Sequence, residues 1–189
     1  MAETPFQVSA LLVTGFKRAA TQLGLAEGAR SHMSGEVAAM WDEPSTSSWH
    51  DGRLFQGMIE ALVKVASKEQ MSEINFRMGR DQFGPIVGGL INIAVALSSP
   101  TPHTVFANMK TIVGVALKGA IVEYEKTGPD SGKFAVSYPL PFPEGTADAW
   151  AGVTRYCCSL VKYVAVIDRA ENTQNGHRYE VDLHWVPEA

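Results

Sequence analysis

The sequence predicts an α+β protein in which an N-terminal helical half is followed by an antiparallel sheet in the order strand-strand-helix-strand-strand. Apolar residues recur at helical spacing through residues 1–118. From residue 119 the apolar spacing changes to two, in two pairs of runs, and helical spacing returns only between the pairs. We therefore expect a single domain over residues 1–189, with a four-stranded sheet over 119–186 and a crossing helix over 147–162.

The helical half is predicted to contain five or six helices, most of them delimited by capping or helix-breaking residues. Thr4 is expected to cap the first helix, with Pro5 at its first position and Gly24 after its end. Thr101 and Pro102 repeat this arrangement at the start of the last one. The fifth segment is almost entirely apolar and is expected to be buried. The predicted helices cover residues 5–23, 27–40 or 29–40, 49–67, 69–82, 85–97 and 102–117.

The clearest strand signal is the run from Tyr179 to Trp185, which alternates apolar and polar residues without interruption. Because successive side chains of a strand lie on opposite faces, its apolar residues share one face that another layer must cover. Asn175-Gly176, a pair that tolerates the positive φ angles of a type I′ turn, precedes this strand. A two-residue turn there pairs the strand with residues 163–174. In that register Val166 opposes Trp185, Arg169 opposes Asp182 and Ala170 opposes Val181.

A second hairpin is predicted around the turn sequence Thr127–Gly132. Alternating apolar residues flank this turn, over Val122–Tyr124 before it and Phe134–Tyr138 after it. The crossing helix, which Thr146 is expected to cap, has an apolar side of its own. It is therefore the simplest cover for the apolar face of the sheet.

Composition and charge limit the classes of partner. With a formal net charge of -4 and no cluster of basic residues, the chain lacks the basic surface that nucleic-acid binding needs. Its two cysteines, Cys157 and Cys158, are adjacent, so they cannot connect distant segments, which suits a reducing compartment. We recognise no secretory signal and no apolar run long enough to span a bilayer, so we expect a cytoplasmic protein that does not enter a membrane.

The layout of the chain resembles the ligand-binding fold shared by four-vinyl-reductase-type domains and haem nitric-oxide-binding domains. It is more similar still to a paralogous myxobacterial family of single domains of unknown function. The resemblance depends on residues 101–138, where a helix leads into the first hairpin, on the helix with Trp150-Ala151-Gly152-Val153, and on the strand Tyr179–Trp185. It implies a small-molecule sensing or interaction domain, often dimeric.

The sequence departs from both branches of this fold at the residues that hold their cofactors. The haem-binding branch uses a proximal histidine and a Tyr-x-Ser-x-Arg motif, and this motif does not occur here. The phenol-sensing branch holds zinc through spaced cysteines, a pattern that the adjacent Cys157 and Cys158 do not reproduce. We therefore expect no haem, no other cofactor and no metal site.

Asp168 is the residue of the terminal hairpin that fits its predicted position least well. In the two-residue register it lies on the apolar face, where a carboxylate needs a partner or a raised pKa. Alternatively, a bulge or a longer loop turns Asp168 outward. His184 falls on the polar face of its strand, where solvent or a partner is its natural environment.

Other polar residues also have two interpretations. His103 either reaches a cavity or lies on the surface at the start of a helix. The dipeptide His50-Asp51 resembles an acid-base pair, but adjacent residues of a helix do not face each other, which favours a cap. Arg77 and Arg80 either clamp an anionic ligand or pair with nearby carboxylates such as Glu73 or Asp81.

We expect a non-enzymatic ligand-binding or regulatory domain with an apolar cavity between the helices and the sheet, taking a small hydrophobic molecule. One alternative is a protein-interaction module with a filled core, and homodimers are expected in either case. An enzyme acting on a small hydrophobic substrate is the third hypothesis, and we name no catalytic residue, because no acid-base pair at a suitable spacing emerges. The predicted ligand-binding residues are Phe106, Tyr138, Trp150, Cys157, Asp168 and Trp185.

Overall fold

A computed structural model describes residues 5–44, 49–84 and 100–189. The helices and strands confirm the α+β class, with most helices preceding the main sheet. None of the helices in these ranges is long and apolar enough to cross a membrane. In chain order the elements are β1 (Gln7–Ser9), α1 (Ala10–Gln22), α2 (Ala26–Ser31), α3 (Gly35–Asp42), β2 (Trp49–Asp51), α4 (Gly52–Val63), α5 (Lys68–Met78), a π-helical turn (Gly79–Phe83), α6 (Pro102–Ala107), α7 (Met109–Gly114), β3 (Leu117–Lys118), β4 (Ile121–Gly128), β5 (Ser131–Ser137), α8 (Gly145–Ser159), β6 (Tyr163–Thr173) and β7 (Arg178–Pro187).

The predicted four-stranded antiparallel sheet is present, in the strand order β4-β5-β7-β6. Both predicted hairpins, β4-β5 and β6-β7, pair within it, and β5 pairs with β7 at its centre. Along β7 the exposure of the side chains alternates as predicted, with four residues nearly inaccessible: Tyr179, Val181, Leu183 and Trp185. Crossing helix α8 and the helical half cover this face.

The register of the terminal hairpin is correct near the turn and wrong beyond a β-bulge. Arg169 opposes Asp182 and Ala170 opposes Val181, which confirms those two predicted pairs. The register then shifts between Ile167 and Arg169, so that Trp185 opposes Ala165 rather than Val166. The extra residue in the bulge is Asp168, which turns to the exposed side of the sheet. Of the two interpretations of Asp168, the structure therefore confirms the bulge that turns it outward and not the position on the apolar face.

The turn between β6 and β7 has the predicted positive φ angles at Asn175 and Gly176, but it is longer than the predicted two residues. Asn175 and Gly176 have positive φ angles of 54° and 88°, as a type I′ turn requires, but Gln174 also has a positive φ of 53°. Strand pairing consequently stops at Thr173 and Arg178. A β-carbon at Gly176 would lie 2.8 Å from the carbonyl oxygen of Phe142, so this close approach also requires glycine.

A second, three-stranded sheet that the sequence did not predict changes the helix boundaries in the first half. Strand β1 pairs antiparallel with β2 and β3. Helix α1 therefore begins at Ala10 rather than near Pro5, and the Ser9 hydroxyl caps it by accepting from the Leu12 N–H at 3.2 Å. Helix α4 likewise begins only after β2, where Asp51 Oδ1 accepts from the Arg53 N–H at 2.8 Å. The cap interpretation of Asp51 is thus confirmed.

Several predicted helices are shorter than expected or interrupted. Gly35, with a φ of 53°, divides the second predicted helix into α2 and α3. Asn108, with non-helical backbone angles, divides the last one into α6 and α7. Thr146 lies inside α8, buried, rather than at its cap. The expected buried helix over 85–97 lies outside the described residues, as does the Thr4 cap.

The core is continuous from the helical half to the sheet. Helices α5 and α8 approach most tightly at Gly152, where a β-carbon would lie 2.0 Å from the carbonyl oxygen of Ser72. Separately, aromatic rings pack near β1, with Phe55 5.8 Å from Phe142 and Phe6 5.5 Å from Tyr138 between ring centroids. Helix α8 contacts α5 on one side and β6 and β7 on the other, so it lies between the two halves.

Candidate functional site

A cavity of about 90 Å³ lies between α8 and the helices of the first half. Residues of α1, α4, α5, α7 and the π-helical turn form its other walls. None of the described residues that line it is charged. Helix α8 contributes one continuous face, in which lining residues recur three and four positions apart: Thr146, Ala149, Trp150, Val153, Tyr156 and Cys157.

The position of this cavity differs from the expected one. The sequence suggested a space between the helices and the apolar sheet face, yet next to the sheet only Tyr138, just beyond β5, lines it among the described residues. The sheet face itself is filled, because Phe134 packs against Trp150 of α8 with ring centroids 5.4 Å apart. The space lies on the other side of α8.

Three of the six predicted ligand residues meet at the cavity: Tyr138, Trp150 and Cys157. The indole Nε1–H of Trp150 donates to the Tyr138 hydroxyl at 3.0 Å, so the indole N–H has its acceptor at the cavity wall. Cys157 Sγ lies 3.4 Å from the sulfur of Met109. Burial raises the pKa of the Cys157 thiol, so the thiol stays protonated and is a poor nucleophile.

Phe106 and Trp185 are buried but do not line the cavity. Phe106 stacks on Tyr124 at 5.2 Å between centroids and lies 6.0 Å from Trp185. Both belong to the aromatic core between α6 and the sheet. Neither residue reaches the cavity, because α8 lies between it and the sheet face.

Asp168 lies on the exposed outer face of the sheet, where it contacts His184. Its side chain is 49% exposed, and its carboxylate lies 2.9 Å from Nδ1 of His184 on the outer face of the sheet. The β-bulge explains this position, because it places Asp168 and Arg169 on the same side of the sheet. Asp168 does not line the cavity.

The remaining polar candidates have partners on or near the surface. The two ring nitrogens of His103 contact the Tyr124 hydroxyl and, at 2.7 Å, the carbonyl oxygen of Pro129. Arg77 pairs with Glu73, and Arg80 with its neighbour Asp81, each at 2.7 Å. Pairing with nearby carboxylates therefore describes both arginines better than an anion clamp.

The residue that the sequence did not single out is Tyr156. Its side chain is 5% exposed and lines the cavity, and its hydroxyl has no hydrogen-bond partner among the described residues. Burial raises the pKa of this hydroxyl, which stays protonated and able to donate. Gly79 packs against this ring, but a single glycine in a predicted helix does not identify its neighbour, so the sequence carried no signal for Tyr156.

The π-helical turn forms the end of the cavity next to Tyr156. A β-carbon at Gly79 would lie 2.5 Å from Cδ1 of Tyr156, so the ring packs directly on the backbone of the turn. Gly79 and Phe83 both line the cavity. Short π-helical segments within α-helices occur frequently at functional sites, and this one directly continues α5.

No model of a known protein family and no curated protein matches this sequence. The fold, in contrast, is similar to solved structures of H-NOX proteins, the haem nitric-oxide-binding domains of the resemblance above. The unliganded Fe(II) H-NOX protein from K. algicida matches with a TM-score of 0.62 and 11% identity, over 95% of this chain and 97% of that chain. An oxygen-binding H-NOX domain related to soluble guanylate cyclases matches with a TM-score of 0.58 and 8% identity, over 95% of this chain and 96% of that chain.

The described residues do not fit a haem group. The cavity of about 90 Å³ is several times smaller than the roughly 300–1,000 Å³ of sites for drug-sized ligands, and a haem needs at least as much room. All five histidines lie in the described ranges, and none lines the cavity. Within these ranges, no three His, Cys, Asp or Glu side chains form a group able to hold a metal ion. The chain therefore has the fold of H-NOX proteins around a cavity of different size and chemistry.

Proposed function

We propose that this protein is a non-enzymatic sensing domain that binds a small, mainly apolar molecule, without haem, in the cavity beside α8. The observation that carries the proposal is the cavity itself, with its uncharged and mainly apolar lining. The similarity to H-NOX proteins supports it, because one of those structures is an oxygen-binding domain. Kinship with four-vinyl-reductase-type or myxobacterial domains, the single-domain organisation and a cytoplasmic location remain predictions.

The size of the cavity limits the ligand. An engineered apolar cavity of about 150 Å³ stays dry and binds benzene or xenon. The cavity described above, at about 90 Å³, is smaller, so we expect ligands of about four to six non-hydrogen atoms. Its apolar lining favours such molecules through the burial of apolar surface, which contributes about 25 cal/mol per Å².

The test is a series of apolar ligands of increasing size combined with a filled cavity. We expect cyclopentane to shift the NMR signal of the Trp150 indole N–H, because Trp150 lines the cavity, and we expect naphthalene to leave it unchanged. Ala149→Val places two more methyl groups in the cavity and should abolish the cyclopentane response. Ala107→Val, at an exposed position of α6 outside the lining, is the matched control and should keep it.

A lack of response to any small apolar molecule, together with native mass spectrometry showing only the mass of the bare chain, would contradict the proposal. A response that Ala149→Val leaves unchanged would place the binding site elsewhere. Both measurements use the intact protein.

A second candidate function, homodimerisation through the sheet, is favoured by one observation on its outer face. Val164 and Val186 oppose each other across β6 and β7 and are each 48% exposed, and Val166 beside them is 41% exposed. Apolar side chains grouped on a surface are typical of interaction sites. If this surface joins two copies, Val164→Lys should convert a dimer to a monomer in analytical ultracentrifugation, whereas a monomeric starting protein would dismiss this candidate.

The third hypothesis, an enzyme, has least support. The described lining of the cavity contains no Asp, Glu, His, Lys or Arg side chain that could transfer a proton. Its one thiol, Cys157, has a raised pKa and a methionine as its neighbour.

A further inference from the structure

The outer face of the four-stranded sheet, opposite the core, is open to solvent. Each of its strands carries outward side chains that are partly or fully exposed. An antiparallel sheet can leave one face in water, so exposure alone does not indicate a partner. The distribution of charged and apolar side chains on this face is what indicates one.

Acidic side chains outnumber basic ones on the outer face. Ala135 opposes Glu123 on one side and Glu180 on the other. Glu180 in turn opposes Glu171, so one row across the sheet, the acidic row, carries three glutamates. With His184 neutral, six carboxylates face three cations, a net charge of -3: Glu123, Glu125, Asp168, Glu171, Glu180 and Asp182 against Lys133, Arg169 and Arg178.

The three cations of this face are already paired within the chain. Arg178 bridges two members of the acidic row, and Lys133 contacts Glu180 at 2.6 Å. Arg169 contacts Asp182 at 2.7 Å and also the third member of the row. Because each carboxylate can accept several hydrogen bonds, the described part of the face can take further cations, whereas it offers no free cation to an acidic partner.

The end of the outer face near α8 is apolar. Val164 opposes Val186 there, and Val166 follows on the same face, all three of them exposed. His184 opposes Val166 and contacts Asp168, so the apolar group borders directly on a carboxylate. A partner that covers this face must therefore bring apolar side chains and positive charge together.

Charge and area both argue against a second copy of this chain as the occupant. Two such faces in contact would bring together two net negative charges, which repel each other most strongly where contact excludes water. Four strands about 4.8 Å apart and about eight residues long present roughly 500 Å² of flat surface. A stable interface buries roughly 800 Å² per partner, so this area suits a short segment that binds reversibly.

We propose that the outer face of the sheet docks a basic, amphipathic segment of another protein. Its apolar side chains cover Val164, Val166 and Val186, and its Lys or Arg side chains contact the acidic row. Along β7 the two ends of the face, Glu180 and Val186, are about 20 Å apart at about 3.4 Å per residue. A helix of about 14 residues, rising about 1.5 Å per residue, spans both. The inference is independent of the cavity and goes beyond the proposed function.

Two labelled synthetic helical peptides of 14 residues test this surface. Both carry Leu along one face, and they differ only in the flanking residues, which are Lys in one peptide and Glu in the other. We expect the Lys peptide to bind at least about tenfold more tightly in fluorescence anisotropy, and to bind more weakly as salt is raised. In NMR spectra of the intact protein, the amide signals of Val166 and Asp182 should shift, whereas that of Leu62, buried in α4, should not.

Two substitutions on the face have matched controls elsewhere. Val164→Thr keeps the shape of the side chain and removes apolar surface, and Glu171→Gln removes one charge of the acidic row. Each should weaken binding of the Lys peptide by at least about threefold. Val115→Thr and Glu60→Gln change exposed residues of the helical half and should leave the affinity unchanged.

Equal binding of the two peptides, or binding of neither, would overturn the inference. So would binding that both face variants leave unchanged, since the peptide would then lie elsewhere. Sedimentation of the protein without peptide tests the competing occupant, because a dimer that Val164→Lys converts to a monomer would assign the face to a second copy. None of these outcomes bears on the cavity, which its own ligands test.

Discussion

The sheet and the helical half differ in how completely they are filled. In the sheet, long strands pair over many residues, the inner face is packed with aromatic side chains, and the outer face carries paired charges. In the helical half, short helices are interrupted at Gly35 and Asn108, a π-helical turn follows α5, and a cavity remains. The difference shows that close packing is concentrated at the sheet, whereas the helical half leaves internal space.

The largest expected effect comes from placing a charge in the filled face of the sheet. Leu183 is 1% exposed, so Leu183→Asp buries an unpaired carboxylate and should prevent soluble expression. Asp182→Asn, one residue away on the outer face, removes only a partly exposed ion pair with Arg169 and should cost about 1 kcal/mol or less. Equal yields of the two variants in the soluble fraction would contradict this assignment of the faces.

The contact that joins the two regions is the next most sensitive. A methyl group at Gly152 would overlap the carbonyl oxygen of Ser72, so Gly152→Ala should separate α5 from α8 and lower the free energy of unfolding by about 3 kcal/mol. Gly114→Ala is its control, because nothing lies within 4 Å of a β-carbon there. Denaturant unfolding should show little change for the control, and an equally small change for Gly152→Ala would mean that the helices can move apart freely.

Two tyrosines at the cavity should respond to the same substitution in opposite directions. Tyr138→Phe leaves the Trp150 N–H without its acceptor and should destabilise the protein by about 1 kcal/mol. Tyr156→Phe removes a hydroxyl that has no described partner and should stabilise the ligand-free protein by up to about 1 kcal/mol. Thermal unfolding of both variants measures the difference, and a loss of stability in Tyr156→Phe would show that its hydroxyl is already satisfied.

The smallest effect concerns acid stability of the outer sheet face. Hydrogen bonds from Arg178 and then Lys133 lower the folded-state pKa of Glu180. A lowered carboxyl pKa contributes stability above the unfolded pKa of about 4.3, and this contribution disappears as the pH falls through the folded value. Glu180→Gln should therefore reduce stability at pH 7 and flatten the loss of stability below about pH 4, measured by urea unfolding across that range. Parallel curves for the two proteins would contradict the assignment.

The sequence also predicted the sheet better than it predicted the helical half. Strict alternation in β7 predicts its buried face, since one period of two residues specifies one face over the whole strand. The bulge was the exception, because the residues around Asp168 carry no signal that selects a bulge over a regular ladder. We considered a bulge only because the carboxylate of Asp168 did not fit the apolar face.

The helical half was predicted less well for a physical reason. Strands β1, β2 and β3 have only two or three residues each, too few to establish a period, and the pairing that stabilises them joins distant segments. The position of the cavity was predicted wrongly. Aromatic rings fill the sheet side of α8, so the space lies on its other side, and the sequence does not show which side the rings fill. Three of its lining residues were predicted from their apolar character. Tyr156 is noticed only because its buried hydroxyl has no partner among the described residues, and no sequence pattern reveals that.

The bulge at Asp168 has a consequence for how the protein behaves at high concentration. Strand β6 is an outer strand of the main sheet, and a regular outer strand is a template on which other chains pair and aggregate. The extra residue interrupts that template and places a carboxylate on it. We expect deletion of Asp168 to accelerate aggregation on heating, as followed by light scattering, and unchanged scattering would remove this role. The carboxylate that seemed to indicate a ligand would then serve to keep the chains apart.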